Sequence, residues 1–108
     1  MQDDVVEIRL PHSHEPIEVD RRRYEIIREA LMKAIPDDEE GLPRRVLTEA
    51  VMPYVRPRDF DGAELQRWIT DVRLDLEARG VLETCVEKGP PHVRRRRSEG
   101  PADARRPC

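Results

Sequence analysis

The side chains able to do chemistry in this chain are few and scattered. His12-Ser-His14, followed by Glu15, is its one tight grouping of metal-ligating nitrogens, and Asp37-Asp-Glu-Glu-Gly41 is an acidic loop that lacks the alternating ligand spacing of a calcium site. In an extended segment both imidazoles fall on one side and offer two ligands, whereas a tight divalent site takes about three or four. The other histidine and cysteine residues, Cys85, His92 and Cys108, stand at no ligand spacing. The pair therefore reads as turn material, with no metal. Cys85 would become a nucleophile only beside a base that lowers its pKa. None stands near it in the sequence, so it reads as a packed or edge thiol, and Cys108 as a terminal, exposed one.

Charge is the stronger signal. Glu64, Asp71 and Asp75 fall on one stripe of a helical segment. Paired carboxylates can work as general acid and base in a cleft, but at this spacing on a charged helix they read as a solvated face that would repel phosphate. Arg94-Arg95-Arg96-Arg97 is the densest basic run. It could grip nucleic-acid phosphates with a steep salt dependence, and it lacks the interleaved aromatics that stack on bases. With Arg67, Arg73 and Lys88 it forms the candidate nucleic-acid-binding set. A second candidate surface is the strip Ala63, Thr70, Leu74 and Ala78, in which Leu74 stands opposite the apolar stripe of the same helix. Such a strip either packs within the monomer or meets a second copy or a protein partner. No nucleophile–base pair, phosphate loop or metal set appears. The expectation is a non-enzymatic protein with no cofactor and no small-molecule substrate.

Composition limits what can position these residues. A chain of 108 residues has room for one domain. With 37% hydrophobic and 40% charged residues, its core must be small and built from amphipathic elements. The four aromatic residues, Tyr24, Tyr54, Phe60 and Trp68, are each expected to anchor it. The formal net charge of −3 hides an asymmetry, because the acidic excess lies before residue 92 and the remainder is net basic. No apolar run reaches the roughly 20 residues of a membrane-spanning helix. The acidic start Met1-Gln-Asp-Asp4 is unlike a signal peptide, which points to the cytoplasm.

The periodicities predict a hairpin, three helices, a second hairpin and a tail. Val6, Ile8 and Leu10 alternate with polar residues, and Ile17 to Val19 can return as a partner strand. Asp20 suits the N-cap of a first helix carrying Tyr24, Ile27, Leu31 and Ala34, closed by Pro36. A short second helix is expected to start at Pro43 and stop at Pro53, with Tyr54-Val-Arg56 extended after it. The third starts at Asp61, with Glu64 completing a capping-box-like pair. Leu65, Trp68, Ile69, Val72 and Leu76 make its core stripe, and Gly80 ends it. Val81 to Val86 and His92 to Arg96 then read as two strands around a loop. Residues 98–108, rich in Gly, Pro, Ala and charge, read as a disordered basic tail after a single domain of residues 1–97.

Val19-Asp20 before Tyr24, Gly41-Leu42 opening the second helix, and Trp68-x-x-x-Val72-x-Leu74-Asp-Leu-Glu-Ala-x-Gly80 resemble a small uncharacterised bacterial family, a domain of unknown function. The similarity covers residues 5 to about 95. The place where that family often carries a second tryptophan holds Arg67 here. The resemblance implies a winged-helix-like fold and brings no activity with it. The resulting expectation is an α+β, winged-helix-like three-helix domain with an N-terminal β-hairpin and a C-terminal β-wing. It would serve as a binding module, contacting nucleic acid through the wing and tail or, alternatively, a protein partner or second copy through the third helix.

Overall fold

The computed structural model describes residues 4–11, 13–37, 40–86 and 89–96. An antiparallel hairpin opens it, β1 (Val5–Ile8) against β2 (Ile17–Asp20), in the register Val6 opposite Val19 and Ile8 opposite Ile17. The Asp20 carboxylate accepts from the Arg23 N–H at 2.9 Å, so α1 (Arg21–Ala34) starts where β2 ends. Its buried face is Tyr24, Ile27, Ala30 and Leu31, as the spacing predicts. On its exposed side Glu29 and Lys33 lie 3.7 Å apart.

Leu42–Pro43 forms a two-residue strand, β3, which the periodicity does not reveal because two residues cannot alternate. Pro43 is therefore a strand residue and not the first residue of a helix. A 3₁₀ turn over Arg44–Val46 leads into the short α2 (Leu47–Val51). Met52–Tyr54 continues as a second 3₁₀ turn, so Tyr54 is not extended, and it stands 49% exposed outside the core. Pro53 occupies an early position of that turn, where its missing N–H costs no helical bond.

The long helix α3 spans Gly62–Ala78, capped by Asp61, whose side chain accepts from the Glu64 N–H at 2.8 Å. Leu65, Ile69, Val72 and Leu76 are buried, and Trp68 is half-buried with its ring edge-on to Phe60, centroids 6.0 Å apart. Gly80, at a φ of 79°, turns the chain into β4 (Leu82–Cys85). β5 (His92–Arg95) returns antiparallel to it. β5 is the central strand of a sheet ordered β3-β5-β4. Among the described residues the fold is thus α+β, with three helices and two small antiparallel sheets in a winged-helix-like order. Residues from both sheets and all three helices, among them Ile8, Ile27, Val51, Val72, Leu82 and Val93, share one core. Residues 97–108, which include Arg97 and the expected tail, lie outside the described residues, as do His12 and Lys88.

The β3–β5 contact imposes one strict requirement. Gly41 adopts a φ of 65°, and a Cβ there would stand 2.2 Å from the Val93 carbonyl oxygen and 2.6 Å from the Arg94 Cβ. Gly41→Ala should therefore cost about 3 kcal/mol through combined backbone strain and overlap, lowering the melting temperature by roughly 15 °C. Gly62→Ala, with open space around its position, should change stability by no more than about 0.5 kcal/mol. Thermal denaturation of the two variants side by side checks both.

Candidate nucleic-acid interface and the buried carboxylate behind it

Asp75 does not lie on a solvated face. It is fully buried, and α3 places it at its C-terminal end, where the helix dipole disfavours an anion. Three donors offset that cost. The Arg9 N–H reaches Oδ1 at 2.8 Å. The Tyr24 hydroxyl and Arg79 Nε reach Oδ2 at 2.6 and 2.8 Å. Arg79 also donates to the Glu7 carbonyl at 2.9 Å. Burial, reinforced by the hydrogen bond and charge of Asp75, pushes the Tyr24 hydroxyl from 10 up to about 12. The bond to Asp75 likewise raises the Arg79 guanidinium above its ordinary value. The sequence does carry a signal for this placement. Asp75 follows Trp68 by seven residues, two helical turns, and so shares its side of α3.

Two residues before it, on the opposite side of α3, Arg73 is also buried, 7% exposed. Its guanidinium pairs with Glu77 and donates to the Thr84 hydroxyl at 3.2 Å, while Thr84 donates to Glu77 at 2.6 Å. These bonds join α3 to β4. In the wing, Arg94 pairs across the ladder with Glu83 at 2.5 Å. Arg95 donates to the carbonyls of Met32 and, at 3.3 Å, Ile35, satisfying the free carbonyl end of α1. Arg96 is half-buried, and its N–H extends the β-ladder to the Val81 carbonyl at 2.9 Å.

The structure therefore does not gather the sequence-derived basic set onto one surface. Arg73, Arg94 and Arg95 hold the fold together, while Arg67 is exposed on the side of α3 that faces the hairpin. Of the apolar strip, Ala63, Thr70 and Ala78 are exposed, and Leu74 is half-buried against the core. His14 is exposed in a turn closed by Ser13, whose hydroxyl donates to the Glu15 carbonyl at 2.7 Å. Cys85 is disulfide-bonded and not a thiol.

Two grooves flank α3, and they differ in chemistry. One, of about 380 Å³, lies against α2 and the turn before it, lined by Arg44, Arg45, Leu47, Thr48, Gln66, Ile69, Thr70 and Arg73. It contains no carboxylate residue. Arg44, Arg45, Gln66 and Thr70 are exposed in it. Arg44 and Arg45 stand outside the basic set read from the sequence, although two adjacent arginines just before the apolar face of a short helix are a legible signal. The other groove, of about 510 Å³, lies between α3 and the hairpin. Ile8, Leu10, Ile17, Val19 and Trp68 line it, with Glu64, Asp71 and Arg67. The two remaining acidic residues of the supposed stripe thus face the hairpin, away from the arginine groove.

The model of DUF6958, a family of unknown function, matches residues 5–93. The chain belongs to this family. No curated protein and no solved structure matches it. The DUF6958 match covers every element described above up to β5, so the buried carboxylate and both grooves lie inside the family's span.

Asp75→Ala would leave the Arg9 N–H and the Tyr24 hydroxyl without their acceptor, and a loss of about 3–5 kcal/mol is expected. Tyr24→Phe removes a single bond to a charged group and should cost about 2 kcal/mol. The Tyr24 shift also fixes the sign of a pH effect. Unfolded Tyr24 loses its proton near 10 and folded Tyr24 holds it to about 12. The contribution is complete below the unfolded value and lost as pH rises through the folded one. Urea midpoints should show the wild type's advantage over Tyr24→Phe shrinking between about pH 10 and about pH 12.

Proposed function

We propose that this domain is a non-enzymatic nucleic-acid-binding module, contacting its ligand through the groove between α2 and α3. The observation that carries this reading is the composition of that groove. Arg44 and Arg45 stand exposed beside Thr48, Gln66 and Thr70, with no acidic residue in the lining. Phosphates would be held by the two guanidinium groups. Gln66 and Thr70 carry hydrogen-bonding groups of the kind that read base edges when a helix enters the major groove.

The main electrostatic objection, an acidic face on the third helix, loses its force. Asp75 is internal and bonded to three donors, and Glu64 and Asp71 line the opposite groove. The molecule as a whole remains net acidic, so binding rests on this local patch and is screened by salt.

Fluorescence anisotropy of labelled duplex DNA across a salt series tests the reading with the full-length chain. Arg44→Gln/Arg45→Gln should weaken binding and flatten the dependence of log affinity on log salt by about 2, one unit for each lost phosphate contact. A second variant neutralises Arg97, Arg105 and Arg106 instead. If that variant loses all affinity while the groove variant loses none, the tail is a generic polycation and the groove has no part in binding.

A further inference from the structure

The two edges of the N-terminal hairpin are finished differently. Along β1 the Val5 carbonyl accepts from Arg21 at 3.0 Å, the Glu7 carbonyl accepts from Arg79, and the Arg9 N–H donates to Asp75. These alternate residues point away from β2. The Asp75–Arg79 pair, spaced by one helical turn, does the work of a neighbouring strand and closes that edge. By the same alternation Val6 with Val19 and Ile8 with Ile17 carry the ladder bonds. The N–H and carbonyl of Glu18 therefore point outward from β2. Among the described residues no strand pairs with that edge.

The open edge borders the apolar groove against α3. Ile17, 39% exposed, and Val19 present their side chains to it beside half-buried Trp68; Glu64, Asp71 and Arg67 also line it, and exposed Glu18 lies between Ile17 and Val19 on β2. We propose that the open edge of β2 and this groove receive an extended segment of a protein partner, aliphatic where it enters the groove and arginine or lysine opposite Glu18. Main-chain bonds to Glu18 supply the attachment, and the alternating side chains supply the selectivity. A second copy of the same strand is the poorer occupant. Antiparallel pairing centred on Glu18 sets two glutamates directly opposite each other, which is destabilising. This site is separate from the arginine groove and stands or falls independently of the nucleic-acid reading.

Trp68 is the sole tryptophan and lines the groove, so its emission reports occupancy directly. The probe is a capped pentapeptide Val-Arg-Val-Arg-Val titrated into the full-length protein, with Val-Glu-Val-Glu-Val as its counterpart. The arginine peptide should shift the emission saturably and bind about tenfold more tightly than the glutamate peptide, at up to about fivefold per cross-strand pair. Glu18→Arg should invert that preference. Glu18→Pro removes the outward N–H while sparing the hairpin ladder, and it should abolish binding while the melting transition persists. The proposal is overturned if neither peptide moves Trp68, if Glu18→Arg leaves the preference unchanged, or if folded Glu18→Pro binds as well as the wild type. Sedimentation showing a dimer that Glu18→Pro dissolves would overturn it too, by giving the edge to a second copy.

Discussion

A carboxylate buried in the middle of a small, highly charged chain is the constraint around which the rest of this molecule is arranged. Asp75 has no access to water, and an ion in that position persists only if its oxygens are satisfied by donors held in place. The donors come from three separate parts of the chain: the backbone after β1, the hydroxyl of Tyr24 on α1, and the guanidinium of Arg79 on the next turn of α3. The hairpin, first helix and third helix are therefore fixed to one point. A hairpin of two four-residue strands is marginal by itself, and Asp75 and Arg79 supply the edge it would otherwise lack.

The same economy governs the arginines. Three of those that make the chain look like a nucleic-acid binder act inside the fold. Arg73 links α3 to β4 through Glu77 and Thr84. Arg95 caps the carbonyl end of α1, and Arg94 braces the wing against Glu83. With so few aromatic and large aliphatic residues, the core is too small to fix every element by apolar contact alone. Charged side chains with apolar stems and bonded heads extend it. What remains exposed on the α2 side of α3 is a smaller basic patch, and it is free of the acids that the helix carries elsewhere.

The consequence is a helix with two unlike flanks. Facing α2 it presents arginine, glutamine and threonine. Facing the hairpin it presents tryptophan, aliphatic side chains and two carboxylates. One helix can present two flanks of opposite chemistry in this way because 3.6 residues per turn separate the faces, and because the buried stripe between them anchors both to one core.

The order and approximate limits of the helices and of four strands were determined by the sequence itself. They rest on local rules, namely apolar period, capping by Asp20 and Asp61, and termination by Gly80, each read from neighbours a few residues away. The interior face of α3 was legible for the same reason, from Leu65 to Leu76. The two-residue strand β3 was not, because its existence depends on pairing with β5, half the chain distant. Nor was the fate of the charged residues. Asp75 shares the side of Trp68, but Asp71 lies one turn before it on nearly the same side, so the helical projection only leans towards Asp75 as the internal one. Only the arrival of Tyr24 and the Arg9 N–H, 51 and 66 residues away, makes one internal and leaves the other lining a groove. Whether a charge is exposed or buried is decided by groups remote in sequence, and so the tertiary structure alone could sort the arginines that build the fold from those left exposed.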